Sequence, residues 1–349
     1  MLQYYKGSLL FTLACFAAAV VYGWSRLGTV GGTLEMLWIV VVLAVLEVSL
    51  SFDNAVVNAT VLKDMDKVWQ QRFLTWGMLI AVFGMRIIFP LAIVAIAAGL
   101  GPVDAIRLSL NDPERYEAVV SSAHVGIAGF GGAFLALVGM RFFFDADKEV
   151  HWIRWVETKL STISTIRAAE IAVLLLALWG ISRSLDDSEA LVFLVAGLLG
   201  TVTFIVVEAI GTLLELHETA QAAVGVTVRS GLGGFIYLNV LDSSFSFDGV
   251  IGAFALSNNM VVIALGLSIG AMFVRSMTIM LVQKGTLNEY RYLEHGAFWA
   301  ILALAAIMLL SARYHIPETF TGLIGAVLIA ASLAWSVRFR RRHPEAAEA

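Results

Sequence analysis

Apolar residues fall into ten runs along the chain: 8–24, 34–61, 73–99, 119–144, 168–182, 189–214, 223–257, 260–283, 296–311 and 319–337. A hydrocarbon core of about 30 Å takes about 20 residues of helix to cross. Turn-forming or charged residues separate the runs, and no alternation over roughly ten residues, as in barrel strands, is present, so the runs predict helices. The fifth and ninth are short, and 168–214 also reads as one kinked hairpin, so the count is about ten. The polar stretch 145–167, with His151, Trp152, Trp155 and Lys159 in an amphipathic pattern, is expected on the membrane surface. Lys6 precedes the first run as in a signal peptide, but no small-residue cleavage site precedes Arg26, and the run is read as a retained helix.

Composition agrees with this pattern. Of 349 residues, 59% are hydrophobic and 14% charged, with a mean hydropathy of +0.85. A soluble domain carries about 25% charge, so a soluble enzyme, a disordered chain and a nucleic-acid binder are excluded. The single cysteine, Cys15, excludes a disulfide framework and a thiolate metal site. Charge placement gives an orientation. With ten spans, fourteen Lys and Arg fall on the side that holds both termini and five on the other, while Arg86, Arg141, Arg229 and Arg275 lie inside spans. Both termini are therefore expected in the cytoplasm, with the chain in the cell (inner) membrane.

The second and seventh runs carry related motifs. Leu46-Glu47-Val48-Ser49-Leu50-Ser51-Phe52-Asp53-Asn54 aligns, at an offset of 195, with Leu241-Asp242-Ser243-Ser244-Phe245-Ser246-Phe247-Asp248-Gly249. The next spans agree as well, since Gly77 lies nine residues before Arg86 and Gly266 nine before Arg275. The motif spans are five apart and so run in opposite directions, as in the inverted repeats of many secondary transporters. The expected fold is an all-α polytopic membrane protein of about ten transmembrane helices with two inverted repeats. It forms one membrane domain over 1–349, with repeat 1 at about 34–144, the surface connection at 145–167 and repeat 2 at about 223–337.

Four carboxylates, Glu47, Asp53, Asp242 and Asp248, thus sit inside apolar helices. A charge at the bilayer centre costs roughly 2.5–3.5 kcal/mol on insertion scales, so such groups face a partner or a water-filled cavity. Ser49, Ser51, Asn54, Asn58, Ser243, Ser244 and Ser246 surround them with oxygen, the donor of hard divalent cations, and no His or Cys lies in either motif. At 100° per residue, Glu47, Ser51, Asn54 and Asn58 share one stripe, while Asp53 points about 120° away. The motif spans, 28 and 35 residues long, exceed a crossing, and unwinding near the motifs is expected, helped in the seventh by Gly249 with Gly231, Gly233 and Gly234. The plainer reading pairs the acids with Arg86 and Arg275 as salt bridges; both hold if the arginines occupy the acids when no ion is bound. Arg141 reads as a snorkelling anchor, Glu208 as a partner for Arg229, and Pro90 as a kink without a counterpart in the other half.

The Glu47-x-x-Leu50-Ser51-x-Asp53-Asn54 run resembles the signature of the TerC (tellurium-resistance C) family of integral membrane proteins. Asp242-x-x-Phe245-Ser246-x-Asp248 resembles that family's second signature. The resemblance covers roughly 34–283 and is greatest to a bacterial branch catalogued as a domain of unknown function, within a group of transporters similar to the LysE exporters. It implies metal homeostasis, with manganese export first, and an ion path lined by Glu47, Asp53, Asn54, Asp242 and Asp248, supported by Ser51, Ser246, Arg86 and Arg275. Gly249 departs from the hydroxyl or amide that the family often has there, and the chain has extra spans and a longer 145–167 connection. The expectation is a secondary transporter exporting a divalent cation, Mn²⁺ first, with H⁺ as coupling ion. No enzyme activity or resident cofactor is expected. The expected partners are the lipid bilayer and a divalent metal ion, with a homo-oligomer open and no nucleic acid. The competing class is a membrane anchor or assembly subunit of a metal- or tellurite-stress complex. An intramembrane aspartyl protease lacks the Gly-x-Gly-Asp pattern here, anion transport is disfavoured because acids outnumber arginines in the motifs, and no nucleotide-binding Gly-x-x-x-x-Gly-Lys-[Ser/Thr] loop occurs.

Overall fold

A computed structural model describes residues 2–63, 65–77, 79–144, 150–163, 168–222, 231–254, 256–257, 259–314, 316 and 318–342. Among them the chain is helical throughout, without strands. In order the helices are α1 (Leu2–Leu27), α2 (Val30–Leu50), α3 (Phe52–Leu62) and α4 (Lys67–Arg72), then two π-helical stretches, Phe73–Gly77 and Ile80–Ile88. There follow α5 (Phe89–Ala97), α6 (Pro102–Asn111), α7 (Pro113–Ser122), α8 (His124–Phe143), α9 (Arg154–Ile163), α10 (Ala169–Ser182) and α11 (Asp187–Ala222). The last are α12 (Leu232–Phe254), α13 (Met260–Gln283), α14 (Thr286–Glu289), α15 (Leu293–Ser311) and α16 (Glu318–Arg342).

Local chemistry marks the ends. Gly28 and Gly99, at φ of 62° and 63°, end α1 and α5 in the left-handed region that a glycine enters without a Cβ clash. The Thr29 hydroxyl accepts from Gly32 N–H to open α2, and Asn259 accepts from the N–H groups of Val261 and Val262 to open α13. Prolines stand at the starts of α6 and α7, where no amide partner is needed.

Among the described residues, eight helical segments are long and apolar enough to cross a bilayer: 4–27, 30–50, 67–92, 124–143, 187–213, 260–283, 293–311 and 323–342. The two remaining apolar runs correspond to α10, which has only 14 residues, and to α12. Outward-facing residues on α1, α10, α11 and α16, among them Leu10, Leu176, Trp179, Leu191, Leu323 and Trp335, are exposed and apolar. An exposed apolar surface of this extent belongs against lipid, which makes this a multi-pass membrane protein.

The interior has two large apolar cores and a small one of Val82, Ala271 and Met272. One large core gathers Phe134, Leu135, Phe193, Leu238, Ile301 and Met308 from α8, α11, α12 and α15. The other gathers Val40, Leu43, Val250, Ile263 and Leu267 from α2, α12 and α13. Both motif-bearing segments pass from one large core to the other. On the first, Val40 and Leu43 lie in the second core and Val56, Val57 and Leu62 in the first; on α12, Leu238 and Leu241 lie in the first and Val250 and Ala253 in the second. Both acidic motifs fall in the interval between the cores.

The expected unwinding is corrected by this structure. α2 and α3 are interrupted at one residue, Ser51 (φ −103°, ψ 17°), yet Ser51 N–H still donates to Glu47 C=O at 3.0 Å and Ala55 N–H to Ser51 C=O at 3.2 Å. Backbone hydrogen bonds thus lead into and out of Ser51, and the interruption is confined to that one residue. α12 runs unbroken through Asp242 and Gly249; its glycine serves a close approach described below. Gly233 packs inside α12, and the preceding 223–230 lie outside the described residues.

Candidate functional site

The site begins with two helices drawn tightly together. Gly266 and Gly270, four residues apart, set α13 against α2. A Cβ at Gly266 would lie 3.1 Å from Val40 C=O, and one at Gly270 would lie 2.6 Å from Glu47 Cγ and 2.8 Å from Ala44 C=O. Small residues at this spacing let helices approach closely in a membrane, where van der Waals packing replaces the hydrophobic drive. The packing fixes the stem of Glu47, which is 2% exposed.

The Glu47 carboxylate accepts from the Arg86 guanidinium and, at 3.3 Å, from the Ser51 hydroxyl. Its other oxygen faces Gly249 on α12, where a Cβ would come within 2.8 Å. Two turns beyond Glu47 along the first copy, Asn54 Nδ2 donates to Asp242 Oδ1 at 2.6 Å, and Asn58 Nδ2 points to the same oxygen at 3.5 Å. Residue numbers rise along α2 and α3 while their partners' numbers fall along α12, so the two motif segments cross antiparallel. At the offset of 195, Glu47 corresponds to Asp242 and Asn54 to Gly249. The acid of each copy therefore faces the same position of the other.

A cavity of about 20 Å³ lies at this crossing, walled by Asn54, Asn58, Arg86, Asp242, Arg275 and Thr278 among others. One water needs about 10–15 Å³ of such space, so the cavity holds one small body. Asn54 and Asn58 are 2% and 4% exposed, and their Oδ1 atoms have no hydrogen-bond partner among the described residues. A buried amide oxygen without a donor costs free energy unless a ligand or water satisfies it. Arg86 lies within electrostatic reach of Glu47 and Asp242, and Arg275 within reach of Asp242; the Arg275 guanidinium also stands 4.8 Å over the Phe73 ring.

Of the expected site residues, Glu47, Asn54, Asp242, Ser51, Arg86 and Arg275 come together. Asp53 is buried but turned elsewhere: Asn54 N–H donates to its Oδ1 at 2.9 Å, and its Oδ2 faces α16, where a Cβ at Gly325 would lie 3.3 Å away. The side chains of Ser246 and Asp248 lie outside the described residues. Thr278, one turn beyond Arg275, is a wall residue that the motif comparison missed; its i+3 spacing from an intramembrane arginine was the available signal.

Two peripheral expectations change. Arg141 does not simply snorkel: its guanidinium lies 2.9 Å from Glu208 and 3.8 Å from Glu170, and Glu208 is thereby taken by Arg141, while Arg229 lies outside the described residues. The connection is also more than a surface segment. Glu157 of α9 is buried and accepts from Trp152 N–H, Ile153 N–H and, at 2.9 Å, Trp299 Nε1–H of α15, with His151 and His295 at 3.7 and 3.6 Å. This carboxylate pins α9 to the bundle, and its five polar neighbours explain why a glutamate is buried there.

Among the described residues no group of three or more His, Cys, Asp and Glu forms a metal-holding cluster. Among the described side chains, a cation at the crossing would find amide and hydroxyl oxygens beside Asp242. No curated protein and no solved structure matches the chain. A family model matches residues 52–343, from Phe52 within the first motif onward, and on that match the chain belongs to the family described as protein of unknown function, DUF475.

Proposed function

We propose that this protein is a secondary transporter that carries a divalent cation, Mn²⁺ first, outward across the cell (inner) membrane, with both termini cytoplasmic and H⁺ as coupling ion. In this reading the chain is a TerC-like member of the LysE-type transporter group, and its two motif copies belong to inverted repeats. The observation that carries the reading is the small cavity at the antiparallel crossing, where two buried amide oxygens without a hydrogen-bond partner among the described residues stand beside the Asp242 carboxylate. Hard oxygen donors in a space of one small body suit a dehydrated divalent ion. A site formed between two oppositely directed segments also suits alternating access. Asp53 and Asp248 are assigned to the ion path on the motif resemblance alone; the Asp53 carboxylate faces α16, away from the cavity.

The test is Mn²⁺ flux in proteoliposomes of purified protein, beside Asp242→Asn and the double variant Asp53→Asn/Asp248→Asn. Flux in the parent protein that falls at least tenfold in Asp242→Asn is expected. Folded, inserted protein that moves none of Mn²⁺, Mg²⁺ and Ca²⁺ would overturn the reading and favour the anchor.

A further inference from the structure

The charges at the crossing constrain what can enter. Among the described side chains, Glu47 and Asp242 face Arg86 and Arg275, and the group is neutral. Adding a divalent ion leaves it at +2, and counting Asp248 as a further acid still leaves +1 in a low-dielectric interior, since the Asp53 carboxylate is turned away from the crossing toward α16. Such a buried excess is strongly unfavourable. One arginine has to leave when the cation arrives.

The two arginines are held very differently. Arg275 sits on α13, a continuous α-helix with an Asn259 cap, seated on α2 through Gly266 and Gly270. It is further tied to α1 where the Ser8 hydroxyl donates to Met272 C=O at 2.7 Å. Arg86 sits in the π-helical stretch Ile80–Ile88, four residues before Pro90. Pro90 has no N–H to donate to the Arg86 carbonyl, and its ring crowds that carbonyl, so an α-helix cannot close there. The looser π turn takes its place, a feature that recurs at functional sites.

We infer, on top of the transport reading, that Arg86 is a tethered cation that holds the Glu47 side of the crossing in the absence of a divalent ion. The π-helical stretch is the element that withdraws it, while Arg275 stays in place. Arg86 is thus a positioning residue that competes with the cargo and speeds its release.

The experiment measures equilibrium ⁵⁴Mn²⁺ binding and Mn²⁺ flux on full-length protein, in nanodiscs and proteoliposomes, for the parent, Arg86→Gln, Arg86→Lys and Pro90→Ala. Arg86→Gln is expected to bind Mn²⁺ at least tenfold more tightly and to show a lower KM with a lower maximal flux. Arg86→Lys, which keeps the charge, should stay within about threefold of the parent in affinity. Pro90→Ala should cut maximal flux at least fivefold. Hydrogen exchange supplies a readout independent of variant folding: MnCl₂ should raise amide exchange over 80–88 in the parent and leave α13 unchanged. A parent that binds and carries Mn²⁺ while Arg86→Gln binds no more tightly, or while exchange over 80–88 is unmoved by Mn²⁺, overturns the role of Arg86 and spares the transport reading. A parent that neither binds nor carries the ion overturns both.

Discussion

Glu47 and Asp242 occupy equivalent places in two related motifs, yet they are satisfied in different ways. Glu47 is one methylene longer and faces Gly249, which contributes no side chain; Asp242 is shorter and faces Asn54, whose amide fills the difference. The crossing thus keeps its size on both sides while its chemistry diverges. The longer acid reaches past the glycine position and is neutralised by Arg86. The shorter one accepts neutral amide donors and borders the cavity. An Asn at position 249 would put its Cβ against the Glu47 carboxylate, a contact that glycine avoids. The lesson is one of division of labour: a symmetric backbone arrangement carries one locked acid and one available acid.

The largest expected effect comes from breaking the locked side. Arg86→Leu leaves Glu47 buried without its counter-charge and should cost about 3–5 kcal/mol. The double variant Glu47→Leu/Arg86→Leu should recover most of that loss, because apolar replacement of a whole buried pair is often neutral. Unfolding of the detergent-solubilised protein in increasing denaturing surfactant would read both. A single variant as stable as the parent would show that the Glu47–Arg86 pair is not what locks this side.

The available side should respond in smaller steps that track distance. Asn54→Ala removes a 2.6 Å hydrogen bond to a carboxylate and should cost about 1.5–3 kcal/mol, the range for bonds to charged groups. Asn58→Ala removes a 3.5 Å contact to the same oxygen and should cost less than about 1 kcal/mol. Equal losses in the same unfolding measurement would mean that the two amides share Asp242 evenly, contrary to the distances.

Much of this arrangement was legible in the sequence, for identifiable reasons. The spans followed from run length, because lipid admits little besides apolar helices. The separation of Asp53 from Glu47 followed from 100° per residue, and it survives the interruption at Ser51, which is confined to that one residue. The reciprocity of the motifs was visible in their offset, but the exchange of Glu with Gly against Asp with Asn was not, because it is a contact between segments nearly 200 residues apart. Gly249 was read as a weak point of its helix, whereas it serves the close approach of the Glu47 carboxylate. Pro90 was read as a kink. The backbone answers with π turns around Arg86 instead, the other way to accommodate a proline that lacks the N–H and crowds the carbonyl four residues back. The Glu157 socket was missed because its five polar neighbours come from 151–153 and from α15.

The finest distinction lies between the two arginine-bearing segments, and one methyl group can test it. At Gly270 an added Cβ meets Glu47 Cγ and the Ala44 carbonyl, and a backbone carbonyl cannot turn aside, so α2 and α13 must separate. Gly270→Ala is therefore expected to destabilise by about 1–3 kcal/mol, the usual cost of overpacking. At Gly84, in the π-helical stretch, the same Cβ meets nothing nearer than Ile80 Cγ2 at 3.5 Å, an ordinary contact. Alanine also favours helical backbone over glycine by up to about 1 kcal/mol, so Gly84→Ala should be neutral or slightly stabilising. If the Arg86 segment were packed as closely as α13, the two substitutions would cost the same. A difference of about 1 kcal/mol or more in that order is what a fixed Arg275 helix and a yielding Arg86 helix require.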